Sequence, residues 1–128
     1  MSRKIHNTNR PNEVTQVICL DKPGAGGMCH QYVVENKHTD PVDAKKFASI
    51  QFQNGPIKEH GVNGCHHEDL IMVVIDRLRS AQKGDFSCRE NAIAITKLEE
   101  ALLWLNYRTN TRKHENVEGE SKQHKGNQ

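Results

Sequence analysis

The sequence has little of what builds a large hydrophobic core. Of its 128 residues, 34% are hydrophobic and 5% are aromatic, with one tryptophan, and the mean hydropathy is -0.81. Because short chains bury a smaller fraction of their surface than long ones, this composition excludes an extensive core within one copy of the chain. We therefore expect one small domain, for which oligomerisation would supply further buried surface.

Long hydrophobic runs are also absent. No apolar stretch reaches the roughly 18 residues of a membrane-spanning helix, and no secretory hydrophobic segment follows Met1. A net charge of +2 is too weak to indicate nucleic-acid binding by itself, although the positions from Arg108 onward are rich in Lys, Arg and His. We accordingly expect a cytosolic protein.

Closely spaced cysteine pairs are missing as well. The four cysteines show no CxxC spacing, and in a reducing cytosol they are predicted to be free thiols. The clusters Cys29-His30 and Cys65-His66-His67 could together supply a tetrahedral zinc site. Because neither cluster has the ligand spacing of a zinc finger, we predict no metal site and no cofactor.

Three short segments in the first half of the chain have the residue patterns of β-strands. They cover residues 14–20, 30–35 and 47–53. In the last of them Ala48, Ile50 and Phe52 lie on one face, as expected for a half-buried strand. Turn signals end the three segments at residues 21–24, 39–41 and 54–56.

Residues 24–30, GAGGMCH, join the first two predicted strands as a flexible glycine loop. The loop lacks the lysine and the Ser/Thr of a phosphate-binding P-loop, and it does not open a helix. It is therefore predicted to be a turn, although its glycines would also let the backbone approach a ligand closely.

The hydrophobic period changes to that of a helix after Glu68. Four apolar residues follow the i, i+3, i+4, i+7 rule, namely Ile71, Val74, Ile75 and Leu78. Acidic residues at the start and basic residues at the end suit the helix dipole, and Gly84 is predicted to end the helix as a C-terminal cap. Residues 70–75 are apolar all round, so a strand remains the alternative.

A second helix is predicted from Cys88 to about Arg112. Ser87 and Glu90 stand at the spacing of a capping box, in which each side chain covers an unpaired N–H group. Apolar residues at steps of three and four form a seam for the first helix, namely Ile95, Leu98, Leu102 and Leu105. Other apolar residues lie outside the seam, namely Ala94, Ala101, Leu103 and Trp104. One partner helix cannot cover so wide a surface, so we expect other elements or another subunit to do so.

The predicted fold class is α+β, with a small antiparallel N-terminal sheet followed by a two-helix antiparallel hairpin, in an oligomer. Residues 1–13 are polar and lack periodicity, and they are predicted to be a mobile arm. Residues 14–114 are predicted to form a single domain that contains the sheet and the hairpin. Residues 115–128 are predicted to be a polar, disordered tail.

The end of the second helix carries two arginines four residues apart. Arg108 and Arg112 therefore emerge on one face, and arginine is the residue suited to bidentate phosphate recognition. Cations also pair favourably with any helix C-terminus. The spacing alone leaves both interpretations open.

A long motif in the second helix resembles the helical-hairpin family of phage counter-defence proteins. The motif reads FSCRENAIAITKLEEALLWLNYRTNTR, and NGPIKEHGVNG and LIMVVIDRLRSAQKG precede it. That family contains the Thoeris anti-defence sponges and the related anti-CBASS sponges. The sheet before the hairpin is similar to the Thoeris-directed branch, and the resemblance covers residues 24–120.

The resemblance implies a non-enzymatic sponge that binds cyclic ADP-ribose isomers made by bacterial TIR-domain enzymes. Such a protein would act in the cytoplasm of the infected bacterial host, where it would hold the ligand away from its effector without cleaving it. The resemblance also implies dimers that assemble into hexamers, and a second pocket for cyclic di- or trinucleotides. It implies no DNA partner and no membrane partner.

The resemblance places Asn91, Arg108 and Arg112 in the cyclic ADP-ribose pocket, through the matching RENA and RT..R segments. The other residues expected around this pocket are Gln82, Phe86, Arg89 and Thr109. In relatives an aromatic residue often precedes the glutamine of the turn, where this chain has Ala81. Either that stacking residue is lost in this chain or Phe86 takes its place, and Phe86 or Tyr107 could supply a flat apolar surface for the base. The residues expected in the second pocket are Gly26, Gly27 and Met28.

The distance between the expected ligand residues also indicates how the pocket is built. Asn91 and Arg108 lie several helical turns apart, so one copy of the helix can hardly place both on one small ligand. A pocket shared between antiparallel helices of two subunits would solve this, and it would also use the excess apolar surface of the second helix.

Two other functions stay open from the residues alone. One is an enzyme that hydrolyses the same nucleotides with His66, His67 or Cys88, although no pattern of a neighbouring base or an oxyanion pocket accompanies that cysteine. The other is a small DNA-binding regulator, since a short glycine turn joins two helices. The second helix is, however, too apolar to lie in a major groove.

Overall fold

The structure, a computed structural model, describes residues 2–10, 13–37 and 45–114, with side chains up to residue 111. Within these ranges it contains four β-strands, three α-helices and one 3-10 turn. The chain divides into two compact units, Met1–Cys65 and His66–Gln128. Among the described helices none is long and apolar enough to span a lipid bilayer.

The first unit is built on an antiparallel sheet. Its strands are β1 (Arg3–Ile5), β2 (Thr15–Cys19), β3 (Gln31–Asn36) and β4 (Lys46–Gln51). They pair in chain order, β1-β2-β3-β4, with antiparallel neighbours throughout. The predicted antiparallel sheet is confirmed, and β2, β3 and β4 each begin and end within two residues of the predicted strands.

The strand β1 lies in the segment 1–13, for which the sequence predicts a mobile arm. In the structure Arg3 is paired with Cys19, and Ile5 with Val17, at the edge of the sheet. Three mostly polar residues are too few to show a strand period, and the pairing is supplied by the exposed edge of β2. The described part of the arm is therefore partly ordered by a partner strand that its own sequence does not indicate.

The sheet has a small core. Its buried residues in the described ranges are Cys19, Val33 and His30. Tyr32 packs edge to face against Phe52, with the ring centroids 5.7 Å apart. On the predicted apolar face of β4, Ile50 is half-buried but Ala48 is exposed.

A short helix that the sequence does not predict follows the sheet. The break at residues 54–56 is confirmed, and α1 (Ile57–His60) begins directly after it. The Gln53 amide donates to the carbonyl oxygens of Gly55 (3.1 Å) and Gly61 (2.8 Å), so one side chain holds both ends of this helix. Four residues are too few for a hydrophobic period, which explains why the sequence does not indicate α1.

The second unit is a helical hairpin of α2 (His67–Lys83) and α3 (Arg89–His114). Both predicted helices are confirmed, and the strand alternative for residues 70–75 is wrong. At the start of α2 the Asp69 carboxylate accepts the His66 N–H at 2.9 Å, which satisfies a donor that the helix leaves unpaired.

The two helices pack through a narrow seam. On α2, Ile75 is buried and Ile71 and Leu78 are half-buried. Val74, the other residue of the predicted stripe, is exposed and does not belong to the seam. On α3 the four predicted seam residues are half-buried, namely Ile95, Leu98, Leu102 and Leu105. The alanines predicted to lie outside this seam, Ala94 and Ala101, are also half-buried.

The connection between the helices confirms one prediction and corrects another. As predicted, α2 ends at Lys83 with Gly84 as its C-terminal cap, and the Gly84 N–H donates to the Ala81 carbonyl oxygen at 3.2 Å. With φ -112 the Gly84 backbone is extended and not left-handed. The first backbone bond of α3 runs from the Ala92 N–H to the Cys88 carbonyl, at 3.3 Å. Cys88 rather than Ser87 therefore stands at the N-cap, and the predicted box with Glu90 is replaced by the contacts described below.

Candidate functional site

Residues 84–88, here called the hairpin turn, are held by side chains from both helices. Asn91 Nδ2 donates to the carbonyl oxygen of Phe86 at 3.1 Å. Gln82 Oε1 accepts the N–H of Cys88 at 2.9 Å. Three predicted pocket residues, Gln82, Phe86 and Asn91, are thus brought together at this end of the hairpin.

Phe86 presents an aromatic ring to solvent. Its side chain is 81% exposed, the largest value among the exposed large hydrophobic residues of the described chain. A hydrophobic residue at this point usually packs against the first turn of the following helix, but that turn offers Asn91, which bonds the Phe86 backbone instead. Ala81 is half-buried in α2 and brings no ring of its own. Phe86, with the exposed Arg89 close by in sequence, is therefore the flat apolar surface available at the turn.

The remaining predicted pocket residues lie at the other end of α3. Arg108 is exposed and forms no ion pair with any described residue, and Thr109 is half-buried. Arg112 belongs to α3 by its backbone, but its side chain lies outside the described part of the chain. At about 1.5 Å per helical residue, Asn91 and Arg108 stand roughly 25 Å apart. A single copy does not bring them together.

Large apolar side chains are exposed on both helices of the hairpin. On α3, Leu103 is 65% exposed and Trp104 is 61% exposed. Trp104 meets Tyr107 edge to face with centroids 6.0 Å apart, so these rings form a continuous aromatic surface. Further exposed apolar side chains lie on α2, namely Met72, Val73 and Val74. Such a contiguous apolar surface marks an interaction site in soluble proteins.

An open groove of about 570 Å³ runs between α2 and α3. Its lining residues are Met72, Ile75, Asp76, Arg79, Glu99, Leu102, Leu103 and Asn106. Arg79 Nη2 pairs with Glu99 Oε2 at 2.5 Å across the two helices. None of the predicted ligand residues lines this groove, so its shape gives no support to the predicted site.

The loop predicted as a second nucleotide site is compact. Residues Ala25–Gly27 form the 3-10 turn, with Gly26 at φ 72 and Gly27 at φ 76. The Gly24 N–H donates to the Met28 carbonyl at 2.7 Å and closes the loop. A Cβ on Gly26 would lie 2.9 Å from Met28 Cε, but that methyl ends a flexible side chain and can move, so the positive φ of Gly26 is what favours glycine there. Met28 is exposed beside these glycines.

Among the described residues one group of metal-ligating side chains comes together, and it differs from the zinc candidates of the sequence. The ligand atoms of Cys19, Asp21 and Cys29 all lie within 4.8 Å of one another. Cys29 is shared with the predicted clusters, whereas the other zinc candidates are not in this group, namely His30, Cys65, His66 and His67. The grouping depends on how β2 and β3 are paired, which residue spacing does not reveal.

Backbone hydrogen bonds fix the carboxylate of this group. Asp21 accepts the N–H of His30 at 3.0 and 3.2 Å and the N–H of Gln31 at 3.3 Å. Desolvation raises the pKa of Asp21, but these N–H donors outweigh it and hold the pKa below its usual value. Desolvation and the neighbouring Cys19 thiol raise the pKa of Cys29. The imidazole of His30 is buried against Gly24, and its Nε2 has no hydrogen-bond partner among the described residues.

The fold defines the class of protein: an α+β chain with a two-helix hairpin whose apolar surface is largely uncovered. Residues 45–110, slightly more than half of the chain, match the family described as Acb2/Tad1, hairpin domain. The chain belongs to this Acb2/Tad1 hairpin-domain family. Its relative Thoeris anti-defense 1, from Bacillus phage SBSphiJ7, is 59% identical over 76 residues, which are 59% of this chain and 54% of the relative. The chain thus spans about half the length of that curated relative.

Proposed function

We propose that this protein is a viral immune-evasion sponge for cyclic ADP-ribose isomers made by bacterial TIR enzymes. It binds these signals in the cytoplasm of the infected host and holds them without cleavage. Membership of the Acb2/Tad1 hairpin-domain family supports this role, as does a relative whose name describes Thoeris anti-defence. The structural support comes from the two ends of α3.

The separation between the two ends of α3 is the observation that carries the proposal. The hairpin turn offers an exposed ring, with the amides of Gln82 and Asn91 beside it. Roughly 25 Å away, Arg108 offers an exposed guanidinium that forms no ion pair within the described part of the chain. Two copies whose α3 helices run antiparallel would bring the turn of one copy to the arginine of the other. The uncovered side chains of Leu103, Trp104 and Tyr107 would be buried in the same contact. One arrangement therefore completes the site and covers the apolar surface.

Each side chain of this shared pocket has a chemical role that suits the ligand. A pyrophosphate requires fixed cations, which Arg108 and Arg112 of one copy supply. A purine requires a flat apolar face, which Phe86 of the other copy supplies. Arg89 and Thr109 contribute polar groups at the rim.

The two amides beside the hairpin turn each keep a hydrogen-bonding atom that no described residue uses. Asn91 uses its Nδ2 on the Phe86 carbonyl, so its Oδ1 is available to accept a bond from the base. Gln82 uses its Oε1 on the Cys88 N–H, so its Nε2 is available to donate. The two residues can therefore fix the turn and read the ligand at the same time.

The second part of the proposal concerns the glycine loop. Gly26, Gly27 and Met28 form a separate site for cyclic di- or trinucleotides, in an assembly of dimers into a hexamer. The left-handed glycines leave backbone uncovered by side chains, and Met28 offers an adaptable apolar contact beside it. Competition titration with both ligand classes tests whether the two sites are independent.

Calorimetric titration with a panel of cyclic ADP-ribose isomers tests the main proposal. We expect saturable, stoichiometric binding, after which heating releases a ligand of unchanged mass and chromatographic retention. Recovery of a cleaved product under excess substrate would favour the hydrolase that uses His66, His67 or Cys88. A salt-dependent shift of duplex DNA, with no nucleotide binding, would favour the DNA-binding regulator.

A further inference from the structure

The end of β2 and the start of β3 bring together two thiols and a carboxylate from distant positions in the sequence. Cys19 is buried, whereas Asp21 and Cys29 are half-buried, so the group can be reached from solvent on one side. Both thiols are directed to the same acceptor, the Asp21 carbonyl oxygen, at 3.5 Å each. The two sulfur atoms therefore already converge on one point in the protonated state.

The spacing of these atoms suits a tetrahedral ion. With metal–sulfur bonds of about 2.3 Å and metal–oxygen bonds of about 2.0 Å, a tetrahedron has a sulfur–oxygen edge of about 3.5 Å and a sulfur–sulfur edge of about 3.8 Å. The distance from Cys19 Sγ to Asp21 Oδ1 is 3.7 Å. All three ligand atoms lie within 4.8 Å, so small side-chain rotations would complete the arrangement.

We propose that Cys19, Asp21 and Cys29 bind a zinc ion, with a fourth position left for a solvent molecule. Two thiolates and one carboxylate form a ligand set that binds Zn²⁺ in preference to the harder cations Mg²⁺ and Ca²⁺. On binding, both thiols release their protons to solvent and the sulfur lone pairs form the new bonds.

The charges around the site balance when the ion is present. Two thiolates, a carboxylate and a dication sum to a single negative charge, and Arg3 Nη2 lies 3.9 Å from Cys29 Sγ. Its guanidinium neutralises the remaining charge from the edge strand β1. The residue that the sequence assigned to a mobile arm thus lies against the proposed site.

The ion would stabilise a part of the chain that has little core. In the described part of the sheet unit the buried residues are Cys19, Val33 and His30, and small units with such cores commonly use a metal or a cross-link. The ion would also connect the two ends of residues 22–28. It would therefore fix the base of the glycine loop, whether or not that loop binds a nucleotide.

Metal content of the full chain tests this site. Reduced, metal-free protein is dialysed against micromolar Zn²⁺, and bound zinc is measured by mass spectrometry, with Co²⁺ as a spectroscopic substitute. We expect about one zinc per chain and a thiolate-to-cobalt charge-transfer band. Wild-type protein that retains no zinc, or Co²⁺ without that band, would overturn the proposal.

The chain offers matched cysteine controls. Changing a residue that only contacts a metal ligand typically weakens metal binding roughly 10- to 100-fold. Cys29→Ser and Asp21→Asn remove ligands themselves, so they should weaken zinc binding by more than this. Cys65→Ser and Cys88→Ser should leave it unchanged. Cys19 is buried and its replacement can unfold the protein, so the test uses the half-buried Cys29 and Asp21, with circular dichroism to verify that each variant is folded. Equal loss in the control variants would contradict the assignment.

Discussion

Asn91 Nδ2 donates a hydrogen bond to the carbonyl oxygen of Phe86, 3.1 Å away, at the start of α3. The bond joins the residue expected to read the base to the residue expected to stack on it. Asn91 stands where a hydrophobic partner for Phe86 would usually be found. Its amide instead fixes the backbone of the turn, and the Phe86 ring stays exposed.

Replacement of Asn91 by Ala should reduce both stability and ligand affinity. An exposed neutral hydrogen bond contributes about 0.5 to 1.5 kcal/mol, so we expect a modest fall in the free energy of unfolding. Affinity should fall further, because the Phe86 backbone loses its anchor. Asn110→Ala, an exposed asparagine elsewhere on α3, is the control. Chemical denaturation and calorimetry give the two quantities, and an affinity equal to that of the control would exclude Asn91 from the pocket.

Replacement of Phe86 by Ala should separate binding from stability. Because the ring is largely exposed, the free energy of unfolding should change by no more than about 0.5 kcal/mol. Stacking on a base contributes about 1 to 3 kcal/mol, so affinity should fall roughly 5- to 150-fold. Phe86→Trp should restore it, and Phe47→Ala, another exposed phenylalanine, should not affect it. A large loss of stability in Phe86→Ala would show that the ring packs within the protein instead.

Replacement of Arg108 by Ala should weaken nucleotide binding by roughly 10- to 100-fold, as expected for a lost hydrogen bond to a charged group. Arg108→Lys should recover only part of the affinity, since lysine cannot form the bidentate contact. Arg77→Ala removes an exposed arginine from α2 and serves as the control. The oligomer, measured by light scattering, should be the same in all three variants. Unchanged affinity in Arg108→Ala would overturn the phosphate role.

Replacement of Trp104 by Glu should dissociate the oligomer. The side chain is exposed in the single chain, so the variant should keep its helical circular dichroism while a charge enters the proposed contact. Light scattering should report a smaller particle, and nucleotide binding should be lost with it. Lys97→Glu changes the charge of α3 at an exposed polar position and is the control. A Trp104→Glu protein that stays assembled would show that this surface is not the contact.

The helices and most of the sheet follow from the sequence because hydrophobic period is a local signal. Spacing alone predicts the seam residues Ile95 and Leu102, which are half-buried in the structure. The strand β1 could not be, since its pairing depends on the free edge of β2 and not on its own residues. Val74 matched the helical stripe but lies outside it, because the angle of the partner helix decides which of two adjacent apolar residues is covered.

The contacts around the candidate sites are less predictable. The Gln82 bond to Cys88 requires knowledge of how the turn folds back, which a residue list does not contain. The group formed by Cys19 and Cys29 depends on a register in which the Leu20 N–H meets the Gln31 carbonyl at 2.8 Å. Long-range pairing fixes both arrangements, so residue type indicates the chemistry but not which residues meet.

A mixing experiment tests the shared pocket most directly. Phe86→Ala and Arg108→Ala each damage a different half of the site, and each alone should bind cyclic ADP-ribose weakly. After the two variants exchange subunits, about half of the random dimers contain both, and each of these carries one intact pocket. The account predicts that calorimetry of the mixture recovers about a quarter of the wild-type sites at wild-type affinity. A mixture that, after verified exchange, binds no better than its separate components would contradict a pocket built from two copies.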